Sequence, residues 1–127
     1  MNENKSKKFD LEDRLIDFAV LIIDISENLS NTRAGNHVSG QIIRSGTSPA
    51  LNYGEAQSAE SRNDFIHKLK VLLKELRETL VALKIIKRGS LTKKIELLDK
   101  GTIECNELIS IFVKSIETAK KNNERNK

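Results

Sequence analysis

The chain has 127 residues, enough for one domain with a sizeable hydrophobic core but not for two. Charged residues make up 31% of it and aromatic residues 4%, with no tryptophan. This composition is typical of helices packed on helices and argues against an aromatic-rich sheet or an enzyme cleft. The single cysteine, Cys105, excludes an intrachain disulfide and a Cys-x-x-Cys zinc site. The longest apolar run, Phe18 to Ile23, is too short for a signal peptide or a membrane span, so we expect a soluble, cytoplasmic protein without membrane contact.

The charge of the chain is unevenly distributed, although the formal net charge is only +4. Residues 9–31 carry six acidic side chains and one basic side chain. Residues 62–94 carry ten basic and three acidic side chains. Such asymmetry indicates either an anionic partner or oppositely charged helices that face each other across an interface.

The first predicted helix follows a polar segment, residues 1–9, which we expect to be disordered. Asp10 is the expected N-cap, and the helix runs to about Leu29. One apolar stripe has the helical period and predicts the core face: Leu11, Leu15, Phe18, Ile22, Ile25 and Leu29. A second apolar stripe lies beside it: Ile16, Ala19, Val20 and Ile23. One bundle cannot cover both stripes, so the second predicts a subunit interface.

Three more helices are predicted along the chain. Residues 30–36 read as a loop, with helix 2 starting near His37 or Val38. Ser61 is the expected N-cap of helix 3, which ends at Gly89. Either Ser90 or Thr92 caps helix 4, which runs to about residue 120 and leaves 121–127 as a disordered tail. Short connections predict an antiparallel up-and-down four-helix bundle over residues 10–120.

The least ordinary stretch is RSGTSPALNYGEA, residues 44–56, which contains two glycines and the only proline. A phosphate-binding loop would need a preceding strand and a Gly-Lys-Ser/Thr sequence, and neither is present. As a helix, the stretch places five polar side chains within about 80° of arc. These are Gln41, Arg44, Ser48, Asn52 and Glu55. They form either a solvated face or, as we favour, a partly buried polar ladder in which Arg44 and Glu55 are satisfied by each other or by neighbours.

This region resembles the signature of a four-helix-bundle family first met in intervening sequences of bacterial 23S ribosomal RNA genes. The resemblance is carried by QIIRSGTSPALNYGEA and the following SRNDFIHKLKVLLKELRETLVAL. The matching positions are Gln41, Arg44, Ser45, Ser48, Asn52, Glu55, Ala56, Ser61, Asp64, Phe65 and Ile66. The resemblance covers nearly all of residues 10–120. It implies an up-and-down bundle assembled as a ring-shaped homopentamer, a nucleic-acid-related role and no enzymatic activity.

The residue types used in catalysis do not form a convincing constellation. Cys105 falls on the apolar stripe of helix 4, where a small core residue is the expected interpretation and a nucleophile the alternative. A di-iron bundle needs two Glu-x-x-His pairs, whereas the chain has only Asp64-x-x-His67. We therefore expect no enzyme, no metal and no cofactor.

The candidate binding face lies on helix 3. Five basic side chains fall within about 80° of arc, opposite the predicted core face. These are Lys70, Lys74, Arg77, Lys84 and Arg88. They predict weakly sequence-specific binding of RNA or DNA. The alternatives are a merely solvated face and a protein-interaction ring that scaffolds another polypeptide.

Overall fold

The structure is a computed structural model that describes residues 10–125. Within these residues it contains four α-helices and no β-strand. The helices are α1 (Leu11–Glu27), α2 (Arg33–Gln57), α3 (Arg62–Arg88) and α4 (Ile95–Arg125). The predicted all-α fold with four helices is confirmed, while the expectation for residues 1–9 lies outside the described residues. Across the described part of the chain, no helix has a stretch long and apolar enough to cross a membrane.

Three helices begin at a side-chain cap that satisfies a free backbone N–H. The Asp10 carboxylate accepts a hydrogen bond from the Asp13 amide at 2.9 Å, and the Ser61 hydroxyl accepts one from the Asp64 amide at 3.0 Å. Both caps agree with the sequence prediction. The cap of α2 is Thr32, whose hydroxyl accepts from the Gly35 amide at 3.0 Å. Helix 2 therefore starts earlier than predicted, within the segment that we read as a loop.

The carboxyl end of α3 is a Schellman motif. The Leu91 amide donates to the Ile86 carbonyl at 3.0 Å, and the Ser90 amide donates to the Lys87 carbonyl at 3.2 Å. The left-handed residue of the motif is Ser90, with φ of 54°, and not the preceding Gly89, with φ of −83°. The helix ends where we predicted, but the left-handed conformation belongs to the serine.

The connection between α3 and α4 is longer than predicted, because it packs against the α1–α2 connection. The Ser30 amide donates to the Leu91 carbonyl at 2.8 Å. The Thr92 hydroxyl donates to the Asn28 carbonyl at 2.8 Å and accepts from the Lys94 amide at 3.1 Å. Helix α4 consequently begins at Ile95, after both predicted caps.

The far end of α4 also differs from the prediction. Residues 121–125 are helical, so the bundle does not end at residue 120 as expected. The remaining part of the predicted tail, residues 126–127, lies outside the described residues.

The helices pack in chain order around one core, and α1 also contacts α4. Contacts between α2 and α3 run antiparallel, since Arg44 pairs with Glu75 whereas Glu55 pairs with Lys68. All four helices contribute fully buried side chains to the core, of which the largest are Phe18, Phe112, Leu15, Ile22, Ile25, Ile42, Leu69, Leu72, Leu76, Leu83, Ile86 and Leu98.

Two buried glycines allow close helix approach. A Cβ atom on Gly46 of α2 would lie 2.6 Å from Cγ2 of Ile22 in α1. A Cβ atom on Gly101 of α4 would lie 2.6 Å from Cδ1 of Ile25 in α1. The unusual stretch is thus continuous helix, including the buried Pro49, and its small residues let α1 approach.

Candidate nucleic-acid interface

The predicted basic face forms one exposed row along α3. We call it the α3 stripe, and it comprises Lys70, Lys74, Arg77, Lys84 and Arg88, all of which are exposed. They span 18 residues of α-helix, or about 27 Å. None of the ion pairs found within residues 10–125 involves a member of the stripe. The five charges therefore face solvent without an intrachain partner in the described structure.

The α3 stripe is not uniformly polar. Val81 is 56% exposed and Ile85 is 51% exposed, and both fall between or beside the cations on the same side of the helix. Leu73 and Val81 line a shallow depression together with Lys70, Lys74, Arg77 and Glu78. The sequence prediction named only the charged residues of this face, although the helical period also places Val81 and Ile85 on it.

An acidic groove runs between α1 and α4. It has a volume of about 750 Å³ and is lined by Asp17, Phe18, Leu21, Glu96, Asp99, Lys100, Ile103 and Glu104. Near it, Arg14 of α1 donates to Glu104 at 2.7 Å and to Glu107 at 2.9 Å. The hydrogen bonds that Arg14 donates to Glu104 and Glu107 raise the pKa of its guanidinium, with the bond to Glu104 as the main cause. The ion pairs connect α1 to α4 and leave the α3 stripe unaffected.

The predicted subunit interface on α1 divides into two parts. Ile16, Val20 and Ile23 are 44%, 58% and 42% exposed, so this chain alone does not cover them. Ala19 is buried within the chain, and its assignment to the interface is corrected accordingly. We call the three exposed side chains the α1 stripe. Exposed apolar side chains of this size grouped on one helix face are typical of an interaction surface.

The charged members of the predicted polar ladder pair with α3 and not with each other. Arg44 donates to Glu75 at 3.4 Å and to Glu78 at 3.3 Å. Glu55 lies 3.7 Å from the ammonium group of Lys68. The Arg44 side chain is 61% exposed, so the expectation that it is partly buried is wrong. Both charged side chains are satisfied by neighbours on α3, but they are exposed, as in the solvated face that we considered as the alternative to a partly buried ladder.

The uncharged members of the ladder differ in environment. Gln41 is exposed, whereas Ser48 is half-buried and its hydroxyl donates to the Arg44 carbonyl at 2.6 Å within α2. The side-chain nitrogen of Asn52 is buried and has no hydrogen-bond partner among the described residues. The five residues thus share a helix face but do not form a connected network.

A buried polar contact between α2 and α3 was missed in the sequence. The hydroxyl groups of Ser45 and Thr79 lie 2.9 Å apart, and both side chains are buried. Thr79 Oγ1 also lies 2.8 Å from the Glu75 carbonyl oxygen. Thr79 lies on the core side of α3, but a threonine on an apolar stripe does not reveal which hydroxyl it meets.

The potentially reactive side chains of residues 10–125 lie in different environments. Burial raises the pKa of the Cys105 thiol to about 12, and its sulfur lies 3.2 Å from the Leu76 carbonyl oxygen. His37 and His67 are both exposed. Within residues 10–125, no three His, Cys, Asp or Glu side chains cluster closely enough to hold a metal ion.

Comparison with known proteins places the chain in a family. The sequence model of the family described as 23S rRNA-intervening sequence protein matches residues 7–114. The chain is similar to a solved structure with 35% sequence identity and a TM-score of 0.73, and the match covers 83% of this chain and 96% of the other chain. It is the crystal structure of a protein with unknown function from the S23 ribosomal protein family of Bacteroides thetaiotaomicron VPI-5482. Curated proteins give no significant match. With the family model covering most of the chain, this four-helix protein belongs to the 23S rRNA-intervening sequence protein family.

Proposed function

We propose that this protein is a non-catalytic, oligomeric four-helix bundle that binds nucleic acid, chiefly RNA, through the α3 stripe. The observation that carries the proposal is the stripe itself, five exposed cations with no intrachain ion-pair partner in the described structure. The family description refers to 23S rRNA, which is consistent with an RNA partner. Arginine and lysine bind phosphate groups of any sequence, so specificity for sequence should be low.

The size of the electrostatic contribution follows from the number of cations. If all five contact phosphates of a duplex, the logarithm of the binding constant falls with a slope of about −4.5 against the logarithm of the salt concentration. Raising the salt from about 50 to about 200 mM then weakens binding about 500-fold. A single stripe therefore gives useful affinity only at low salt or when several copies act together.

Assembly through the α1 stripe would supply those copies. We expect Ile16, Val20 and Ile23 to be covered by a neighbouring subunit, which repeats the α3 stripe around a ring, in our proposal a homopentamer. Ile16→Glu should reduce the molar mass measured by light scattering to that of one chain, or abolish soluble protein. Leu51→Glu is the control, because Leu51 is 69% exposed on α2 and should tolerate the charge. A wild-type protein that is monomeric at micromolar concentration would contradict assembly.

The binding test uses fluorescence anisotropy with a labelled RNA at about 50 mM salt, where phosphate contacts are strong. Lys70→Glu with Arg77→Glu should abolish binding and leave the molar mass unchanged. The matched control is Lys120→Glu with Lys121→Glu, two exposed residues of α4 that change the net charge equally. Loss of binding in both double mutants would indicate a general charge effect, and retention in both would rule out the α3 stripe.

A second candidate function is a protein-interaction ring that scaffolds another polypeptide. The exposed Val81 and Ile85 favour it, because apolar side chains contribute little to phosphate binding and much to protein contacts. Capture from a native lysate, with and without nuclease, separates the two functions. A polypeptide that remains bound after nuclease treatment and is lost in Val81→Ser with Ile85→Ser would support scaffolding.

A further inference from the structure

We infer that the α3 stripe binds double-stranded RNA in preference to single-stranded RNA, an inference that rests on the proposed function. Two features of the structure carry it. Among the described residues no aromatic ring lies on the stripe, and the cations are carried in a row by one packed helix.

The aromatic rings of the described residues are unsuited to base stacking. Phe18 and Phe112 are 1% and 0% exposed, and Phe65 and Tyr53 are half-buried. Tyr53 is further engaged with Phe112, with the ring centroids 5.8 Å apart in an edge-to-face arrangement. None of these rings belongs to the α3 stripe. Proteins that bind single strands without sequence preference gain much of their affinity from stacking bases on aromatic side chains. This surface offers phosphate contacts instead.

The spacing of the cations is fixed by the helix that carries them. Successive members of the stripe are 4, 3, 7 and 4 residues apart, which corresponds to about 6, 4.5, 10.5 and 6 Å along the helix axis. Helix α3 packs against α2 and α4 through buried side chains along its length, and both of its ends are capped. The backbone positions of the row are therefore fixed, and only the long side chains can move to follow a strand.

A single strand must be ordered along this row before its phosphates meet the cations, and none of the aromatic rings of residues 10–125 lies on the stripe to offset the conformational entropy lost by stacking. A duplex presents its phosphates already in fixed positions. An α-helix does not enter the deep, narrow major groove of A-form RNA, and proteins bind such duplexes from the outside through phosphate and 2′-hydroxyl contacts. A helix with cations along its exposed side suits such binding from the outside of the duplex. The stripe is about 27 Å long and so spans several phosphates of an A-form duplex.

The test compares a 12-base-pair RNA duplex with one of its strands, chosen as a pyrimidine sequence that does not pair with itself. Probes of this length fit one stripe, so that multivalent binding does not favour either. We expect the duplex to bind at least about tenfold more tightly at about 50 mM salt. We also expect the duplex slope against salt to be steeper, about −4.5 compared with about −3.5 for the single strand.

The outcomes separate this inference from the proposed function. Equal or tighter binding of the single strand, lost in Lys70→Glu with Arg77→Glu, would overturn the duplex preference and leave nucleic-acid binding intact. Absence of binding to either probe would overturn both. Phe9 lies outside the described residues, so Phe9→Ala is included. A single strand that binds as tightly as the duplex in the wild type and weakly in Phe9→Ala would assign stacking to that ring and overturn the inference.

Discussion

Because α1 and α2 approach closely at Gly46, the structure predicts an order of stability for variants in which a helical glycine is replaced by alanine. A Cβ atom there would lie 2.6, 2.8 and 2.9 Å from Cγ2, Cγ1 and Cβ of Ile22. Ordinary carbon–carbon contacts are about 3.5–4.0 Å, so something must move by about 1 Å. Ile22 is fully buried and branched at Cβ, which restricts its rotation, so the helices themselves must separate.

The expected magnitude combines two opposing effects. Overpacking a core costs about 1–3 kcal/mol, whereas replacing glycine by alanine inside a helix gains about 1 kcal/mol. Gly54→Ala and Gly40→Ala isolate the gain, because nothing lies within 4 Å of a Cβ atom at either position. Gly46→Ala should therefore be less stable than Gly54→Ala by about 1–3 kcal/mol, the overpacking term alone. Gly101→Ala should fall between them, because its nearest neighbour is the terminal methyl group of Ile25, which can rotate away.

Thermal unfolding followed by circular dichroism at a fixed protein concentration measures the series, since assembly makes Tm depend on concentration. For a chain of this size, 1 kcal/mol corresponds to about 4 °C, so Gly46→Ala should melt about 4–12 °C below Gly54→Ala. Combining Gly46→Ala with Ile22→Ala should cost less than the sum of the single changes, because the smaller side chain makes room for the new methyl group. If Gly46→Ala raises Tm as much as Gly54→Ala does, the two helices are not in close contact at this position.

Four further predictions concern the α2–α3 contacts, the end of α3 and the thiol. Arg44→Ala should lower the free energy of unfolding by less than about 1 kcal/mol, as expected for an exposed ion pair. A loss of about 3–5 kcal/mol in urea unfolding would instead indicate that Arg44 belongs to a buried ion pair. Thr79→Val should cost about 1–3 kcal/mol by leaving the buried Ser45 hydroxyl unpaired, whereas adding Ser45→Ala should recover part of the loss. Ser90→Gly should raise the free energy of unfolding by about 1 kcal/mol, because it relieves the left-handed backbone, and no change in Tm would contradict the Schellman geometry. Cys105, with its pKa raised to about 12, should react with an aromatic disulfide reagent at pH 8 only in denaturant, so rapid labelling of the folded protein would refute its burial.

The sequence predicts the helices well where local signals agree. Asp10 and Ser61 are strong N-caps that precede apolar residues with the helical period, and both helices begin at them. The sequence prediction of a helix start is wrong where packing, and not a turn, requires glycine. Gly35 suggests a loop, yet it lies in the first turn of α2. Glycine is needed there because a Cβ atom would collide with the Ser30 carbonyl oxygen. Helix α3 does end at Gly89 as predicted, but the residue that adopts the left-handed conformation is Ser90.

The candidate site is predictable only as far as one helix at a time. Periodicity alone identifies the α3 stripe as a row of cations, since all its members lie on the same helix. Partners on different helices depend on the register between α2 and α3, which no local signal sets. Arg44 therefore pairs with Glu75 and Glu78 of α3. It does not pair with Glu55, although Glu55 lies on the same face of α2 as Arg44.

The residues that identify the family perform structural tasks in this chain. Ser45 contacts Thr79, Ser48 bonds within α2, and Ser61 caps α3. Gly46, in the middle of the same segment, admits α1. These contacts specify how three helices pack, so the signature carries information about the fold and little about the partner. The α3 stripe faces away from those contacts, and its charges are free to vary without disturbing them. Function in this family should therefore be sought on the outer faces of the bundle, and charge-reversal at positions such as Lys70 tests it with the least risk to folding.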